Sequence, residues 1–114
     1  MSHKGNGRAV ITNMLRSSDA PTAVVCGGGS SDAQIMVELA ATVGKRVPED
    51  MSIVAFGGPL PERRPITATV EDEETLGTRA LEMLLEEDML SNPRRVLVPA
   101  RLAVGNTTAP PRAG

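Results

Sequence analysis

The sequence predicts an α/β domain built on a doubly wound parallel sheet. Two apolar runs without polar alternation, Thr22–Cys26 and Ser52–Phe56, each end in glycines. Between turn residues, such runs read as strands buried on both faces of a parallel sheet. Helical spacings alternate with them, giving helix, strand, helix, strand, strand, helix, strand. That order builds a sheet with right-handed crossovers.

The elements follow in turn. Val10, Ile11, Met14 and Leu15 have one-sided helical spacing from Gly7 to Leu15, and Ser17, Ser18, Asp19 and Pro21 stop it. After the first strand, Ser31 and Gln34 have the spacing of a capping box, which predicts a helix from Ser31. Ile35, Leu39 and Val43 line one face of it, with Met36 and Ala40 beside them, and Gly44 stops it. Lys45–Asp50 is a polar turn. Past the second strand, the stretch to Pro65 is rich in proline and reads as irregular. Ile66–Val70 is β-prone. Thr75–Leu90 reads as a helix with Leu76, Ala80, Met83 and Leu84 on one face, closed by Pro93. Val96–Val98 and Leu102–Val104 read as short strands around Pro99, and residues 109–114 as a disordered tail.

The totals exclude several functions. A chain of 114 residues suits one small domain. With one Phe and no Trp or Tyr, its core rests on aliphatic side chains. A net charge of −2 and the lack of a basic stripe argue against direct nucleic-acid binding, which draws most of its affinity from phosphate neutralisation. One cysteine allows no internal disulfide and suits a reducing compartment. No signal peptide is visible, and no apolar run approaches the roughly 20 residues that span a bilayer. These features predict a cytoplasmic protein without a membrane partner.

The Gly27–Ser31 loop is the most informative local feature. It joins the carboxyl end of a strand to a helix start, the edge where open α/β sheets bind ligands. Backbone N–H groups and the helix dipole favour oxygen-rich or anionic ligands there. A tight turn with no ligand explains the same residues equally well. As a nucleotide fingerprint the loop is weak, because Asp32 stands where a third glycine is needed. Gly57-Gly58-Pro59 lies on the same predicted edge, so the two strand ends form either a crevice or simply two turns. His3 is the only histidine, and Cys26 has no partner to make it a nucleophile. Metal sites of Cys/His type fail on count. Glu71–Glu74 precedes a helix, where acidic residues complement the dipole. No nucleophile, base and orienter assemble. The reading is a non-enzyme without cofactor or metal.

Taken in order, Pro21-Thr22-Ala23-Val24-Val25-Cys26, Gly44-Lys45-Arg46-Val47-Pro48-Glu49-Asp50-Met51-Ser52-Ile53-Val54-Ala55-Phe56, Ile66-Thr67-Ala68-Thr69, Leu76-Gly77 and Leu102-Ala103-Val104 with Thr107-Thr108 resemble the sensor domain of LacI/GalR-type transcriptional regulators. The Val-Pro-Glu-Asp segment is the most specific part. The resemblance implies that residues 1–108 are the C-terminal part of an effector-sensing domain, in the C-terminal lobe of a type I periplasmic-binding-protein-like fold. It implies a small-molecule effector, a sugar or related metabolite, bound between two lobes. It also implies a homodimer, and DNA contact only through a head domain outside this chain. The effector-binding candidates are Gly28, Gly29, Ser30, Gly57 and Gly58. The dimer-seam candidates are Ile35, Met36 and Leu39, although intramolecular core is the preferred reading for Ile35 and Leu39. The sequence departs from the family at Gly29-Ser30 (Asn-Asp in the family), at Gly57-Gly58 (an Asp pair) and at Gly105 (Arg). Loss of those carboxylates points away from standard sugar recognition. The helix around Thr75–Leu90 belongs to the other lobe in the family, so alone it leaves an apolar face uncovered, and the isolated chain is expected to dimerise, by element exchange if need be. Competing readings are a transport-type sugar-binding protein of the same fold, a small phosphate- or nucleotide-binding α/β protein, and a remnant with no ligand.

Overall fold

The computed structural model describes residues 3–57 and 65–111. The elements are α1 (His3–Arg16), β1 (Ala23–Cys26), α2 (Ser30–Thr42), β2 (Ser52–Phe56), β3 (Thr67–Val70), α3 (Glu73–Leu84) and β4 (Arg101–Ala103). The four strands form one sheet in sequence order. β1, β2 and β3 are parallel, and β4 closes the far edge antiparallel to β3. The mixed α/β class and mostly parallel sheet are those expected. Gly58 and the irregular stretch before Pro65 lie outside the described residues.

Strand register explains where the core sits. Val24 pairs with Ile53, while Cys26, Ala55, Ala68 and Ala103 form a row across all four strands. Side chains alternate between sheet faces, so these residues share one face. That face is buried under α2, which supplies Ala33, Met36, Leu39 and Ala40, and under Leu15 of α1. Small alanines in the row allow the helix to approach closely.

The opposite face differs from expectation. The runs Thr22–Cys26 and Ser52–Phe56 are expected from sequence to be buried on both faces. Instead Val25 is 64% exposed and Phe56 53% exposed. The reason is that both sheet-covering helices lie on one side. Among the described residues no element covers the other.

Three local expectations are also corrected. No capping box forms at Ser31, because α2 starts one residue earlier with Gly29 as its N-cap and no side-chain cap. The neighbouring Ser30 hydroxyl donates instead to the Gly57 carbonyl, just past β2. Helix α3 spans Glu73–Leu84 rather than Thr75–Leu90. It starts early because the Asp72 carboxylate accepts from the backbone N–H (3.0 Å) and the hydroxyl (2.7 Å) of Thr75. It ends before Glu86-Glu87-Asp88, whose negative charge opposes the dipole at a helix C-terminus. Finally, Val96–Val98 forms no strand, since β3 is only four residues long and pairs with residues 101–103.

The chain after β4 turns back beneath the amino ends of β2 and β3. Thr107 is wholly buried there. Its hydroxyl donates to the Ile53 carbonyl at 2.7 Å and accepts from the Thr67 N–H at 3.0 Å. The Ile53 N–H donates in turn to the Thr107 carbonyl at 2.8 Å. Ser52 and Ala109 exchange two further hydrogen bonds at 3.1 and 3.2 Å, while residues 112–114 lie outside the described residues. Gly105 passes so close to Pro65 that an added Cβ would collide with the Pro65 carbonyl oxygen and come within 2.7 Å of the Ile66 carbonyl carbon. Replacing Thr107 by Val keeps the shape but strands a buried donor and a buried acceptor. We predict a loss of about 2–4 kcal/mol for Thr107→Val, read from the midpoint of a urea transition. Gly105→Ala should cost roughly 1–3 kcal/mol by overpacking in the same assay, and an unchanged midpoint would contradict the close approach.

Candidate effector site

The site begins with two glycines at parallel strand ends. Gly29 has φ +96° and Gly57 φ +110°, a backbone region that L side chains avoid. The turns they make bring the two loops together. A Cβ on Gly29 would lie 3.2 Å from the Phe56 carbonyl oxygen, and one on Gly57 would lie 3.7 Å from the Gly29 Cα. The Ser30 hydroxyl donates to the Gly57 carbonyl at 3.0 Å, and the Gly57 N–H donates to the Thr69 carbonyl and hydroxyl at 3.2 and 3.3 Å. The carboxyl ends of β1, β2 and β3 are thus laced into one continuous edge.

Three of the five effector-site residues expected from sequence, Gly29, Ser30 and Gly57, therefore meet. Gly28 is exposed beside them, and Gly58 lies outside the described residues. Ser30 is 5% exposed with its hydroxyl committed to Gly57, so it holds the loops in place rather than facing solvent. Of the seam residues, Met36 and Leu39 sit in the core at 7% exposure each, and Ile35 is half-buried.

Sequence reasoning missed three residues at this edge. The Asp32 carboxylate fills the space that a side chain at Gly28 would need. Its charge sits in the first turn of α2, where it complements the dipole from within the chain. That weakens the anion-binding reading of the loop, because an incoming phosphate would meet a carboxylate. Thr69 supplies the hydroxyl beneath Gly57. Phe56, the only aromatic residue, stands half-exposed at the end of β2. A lone aromatic at a strand end beside a glycine was the available signal for Phe56. Asp32 stood out in the sequence only as a break in a glycine fingerprint, and nothing there marked Thr69 as a partner of Gly57.

Burial pushes the Cys26 thiol above its ordinary range, and the Asp32 charge pushes it further. No metal-binding group of three or more His, Cys, Asp or Glu occurs among the described residues.

Residues 2–108 match the periplasmic binding protein-like domain. The chain belongs to that family. It is 38% identical over 86 residues to the HTH-type transcriptional repressor PurR of Proteus mirabilis, covering 71% of this chain and 24% of that protein. Among solved structures, a LacI family transcriptional regulator from Bifidobacterium animalis superposes with a TM-score of 0.74 at 26% identity, over 93% of this chain and 40% of that one. The lac repressor dimer, bound to operator and the anti-inducer ONPF, gives a TM-score of 0.69 at 25% identity, over 90% and 37%. The expected kinship with LacI-type regulators holds. The chain spans about a quarter of the curated relative and two fifths of the structural one.

Two measurements test the edge. Gly29→Ala should destabilise the fold by roughly 1–2 kcal/mol, since it forces a side chain into a left-handed conformation; thermal unfolding reads this. Thiolate is the reactive form of cysteine, so Cys26 should react slowly with an aromatic disulfide reagent at neutral pH. Asp32→Asn should speed that reaction on the order of a few-fold by removing a charge that opposes thiolate formation. A rate unchanged at every pH would place Asp32 away from the thiol.

Proposed function

We propose that this chain is the C-terminal part of the effector-sensing domain of a LacI-type transcriptional regulator, acting without catalysis. The observation that carries the reading is the path of the chain through β3, α3 and β4. It leaves the sheet, forms a helix with no buried residue, and returns beside the strand by which it left. Leu76, Leu81 and Leu84 of that helix are exposed at 42%, 58% and 72%. The radius of gyration is 18.6 Å, against roughly 13 Å for a compact domain of this length. A helix of this kind supports a two-lobed clamp of which this chain holds one lobe's sheet and a piece of the other.

In this reading the effector is a small uncharged or weakly polar metabolite, a sugar derivative or nucleobase, seated on the Gly28–Ser30 and Phe56–Gly57 edge. The backbone and Phe56 contribute the contacts that a carboxylate pair makes elsewhere. Effector binding shifts a homodimer between operator-bound and released states, and DNA is reached through a head domain outside this chain. The regulator works in the cytoplasm; no helix among the described residues is long and apolar enough to cross a membrane.

The test is a thermal-shift screen of the regulator with sugars, sugar phosphates, nucleobases and nucleotides. A ligand confined to the folded state raises the midpoint by mass action. The expected hit is a sugar or nucleobase whose shift is lost in Gly57→Val. Hits among phosphates alone would transfer the assignment to an anion-binding loop. The chain by itself should show no salt-dependent binding to duplex DNA by fluorescence anisotropy, as its charge of −2 dictates.

A further inference from the structure

Helix α3 differs from the other two helices in what holds it. Packing joins α1, α2 and the four strands and leaves α3 out. None of its 12 residues is buried, and all but Thr75 and Met83 are exposed. Tertiary packing is the main source of helix stability in proteins, and helices shorter than about 12–15 residues are marginal in water without it. What remains for α3 is local. The Asp72 carboxylate caps its first turn through Thr75, and Glu73 and Glu74 complement the dipole there. Arg79 pairs with Glu82 at 2.8 Å, both of them solvated. Against these bonds stands Gly77, in the middle of the helix. A Cβ there would meet nothing within 4 Å, so no close approach calls for glycine. Its backbone freedom weighs against the helix with no packing gained in return.

We infer that residues 73–84 are a helix–coil switch in near-even balance, set by Asp72 and Gly77 and independent of the sheet. The bonds that build the carboxyl edge run through Ser30, Gly57 and Thr69, and those that close the amino edge run through Thr107. Neither set includes a residue of α3. The segment therefore folds and unfolds while both edges stay built. Local opening of this kind costs little beside opening of the core. A state that is only partly populated weakens any contact that requires it, in proportion to its population. Asp72 and Gly77 thus tune every contact that Leu76, Leu81 and Leu84 make as a helix.

The experiment follows the 114-residue chain by NMR. Carbon chemical shifts of residues 74–83 read the helix population, and amide exchange at Ile53, whose N–H bonds to Thr107, reads the sheet. Gly77→Ala should raise the helix-to-coil ratio about fivefold, from the propensity difference. Asp72→Ala should lower it about fivefold by removing the cap. Exchange at Ile53 should stay within about twofold of the unsubstituted chain in both variants. Leu81→Ala should leave the ratio within about twofold, since that side chain is 58% exposed and the two residues have similar propensity. A segment that is fully helical and indifferent to Asp72→Ala would overturn the proposal, as would amides there exchanging as slowly as Ile53, because tertiary contact would then hold the helix. A ratio that rises with chain concentration would overturn it in favour of order supplied by a second copy. Coil in the unsubstituted chain and in Gly77→Ala alike would overturn it too, by showing that the local bonds do not suffice. None of these readouts uses an effector, so their failure is separable from failure of the sensor reading.

Discussion

The amino edge of the sheet depends on the buried hydroxyl of Thr107. After β4 the chain has travelled far from β2, and no strand pairing brings it back. The hydroxyl bridges the Ile53 carbonyl and the Thr67 N–H, and the Thr107 carbonyl takes the Ile53 N–H. A side chain here does the work of a ladder rung between two parallel strands and a returning segment. Around it, the Thr67 and Thr108 hydroxyls bond to each other at 2.9 Å and the Gly105 N–H donates to Thr67. Buried polar groups are costly unless satisfied, so such a cluster specifies one arrangement of the amino edge.

At the carboxyl edge the economy is different. Two left-handed glycines allow the loops after β1 and β2 to touch, and a serine rather than a carboxylate joins them. There the two loops meet backbone to backbone. Asp32 places one negative charge in the first turn of α2, where it meets the dipole and Gly28. Peptide groups and the half-exposed Phe56 make up the surface of this edge.

Legibility in the sequence followed the range of the interactions. The strand Ser52–Phe56, the Gly44 stop and the placing of Gly29 and Gly57 on one sheet edge were readable because apolar runs and glycine punctuation are local. The capping box at Ser31 failed because α2 starts at Ser30, which puts Ser31 inside the helix, and Ser30 finds its partner 27 residues away. Burial of Val25 on both faces was misjudged because a run of apolar residues records what a strand is built to contact. It does not reveal whether the covering layer is present in the chain. The ends of α3 moved for electrostatic reasons visible only once Asp72 was seen to cap Thr75. Nothing short-range revealed Thr107, whose partners lie 40 and 54 residues away.

β3 and β4 lie side by side and run in opposite directions, with Val70 level with Arg101. The chain therefore leaves the sheet and re-enters it through a single doorway. Residues 71–100, helix α3 among them, hang from that doorway as a closed excursion, and the hydrogen-bonded circuit from β1 to Thr107 is complete without them. Topologically the sheet is a hairpin with a cargo at its tip. A lineage could lengthen, replace or redesign the cargo while every rung of the sheet stays in register.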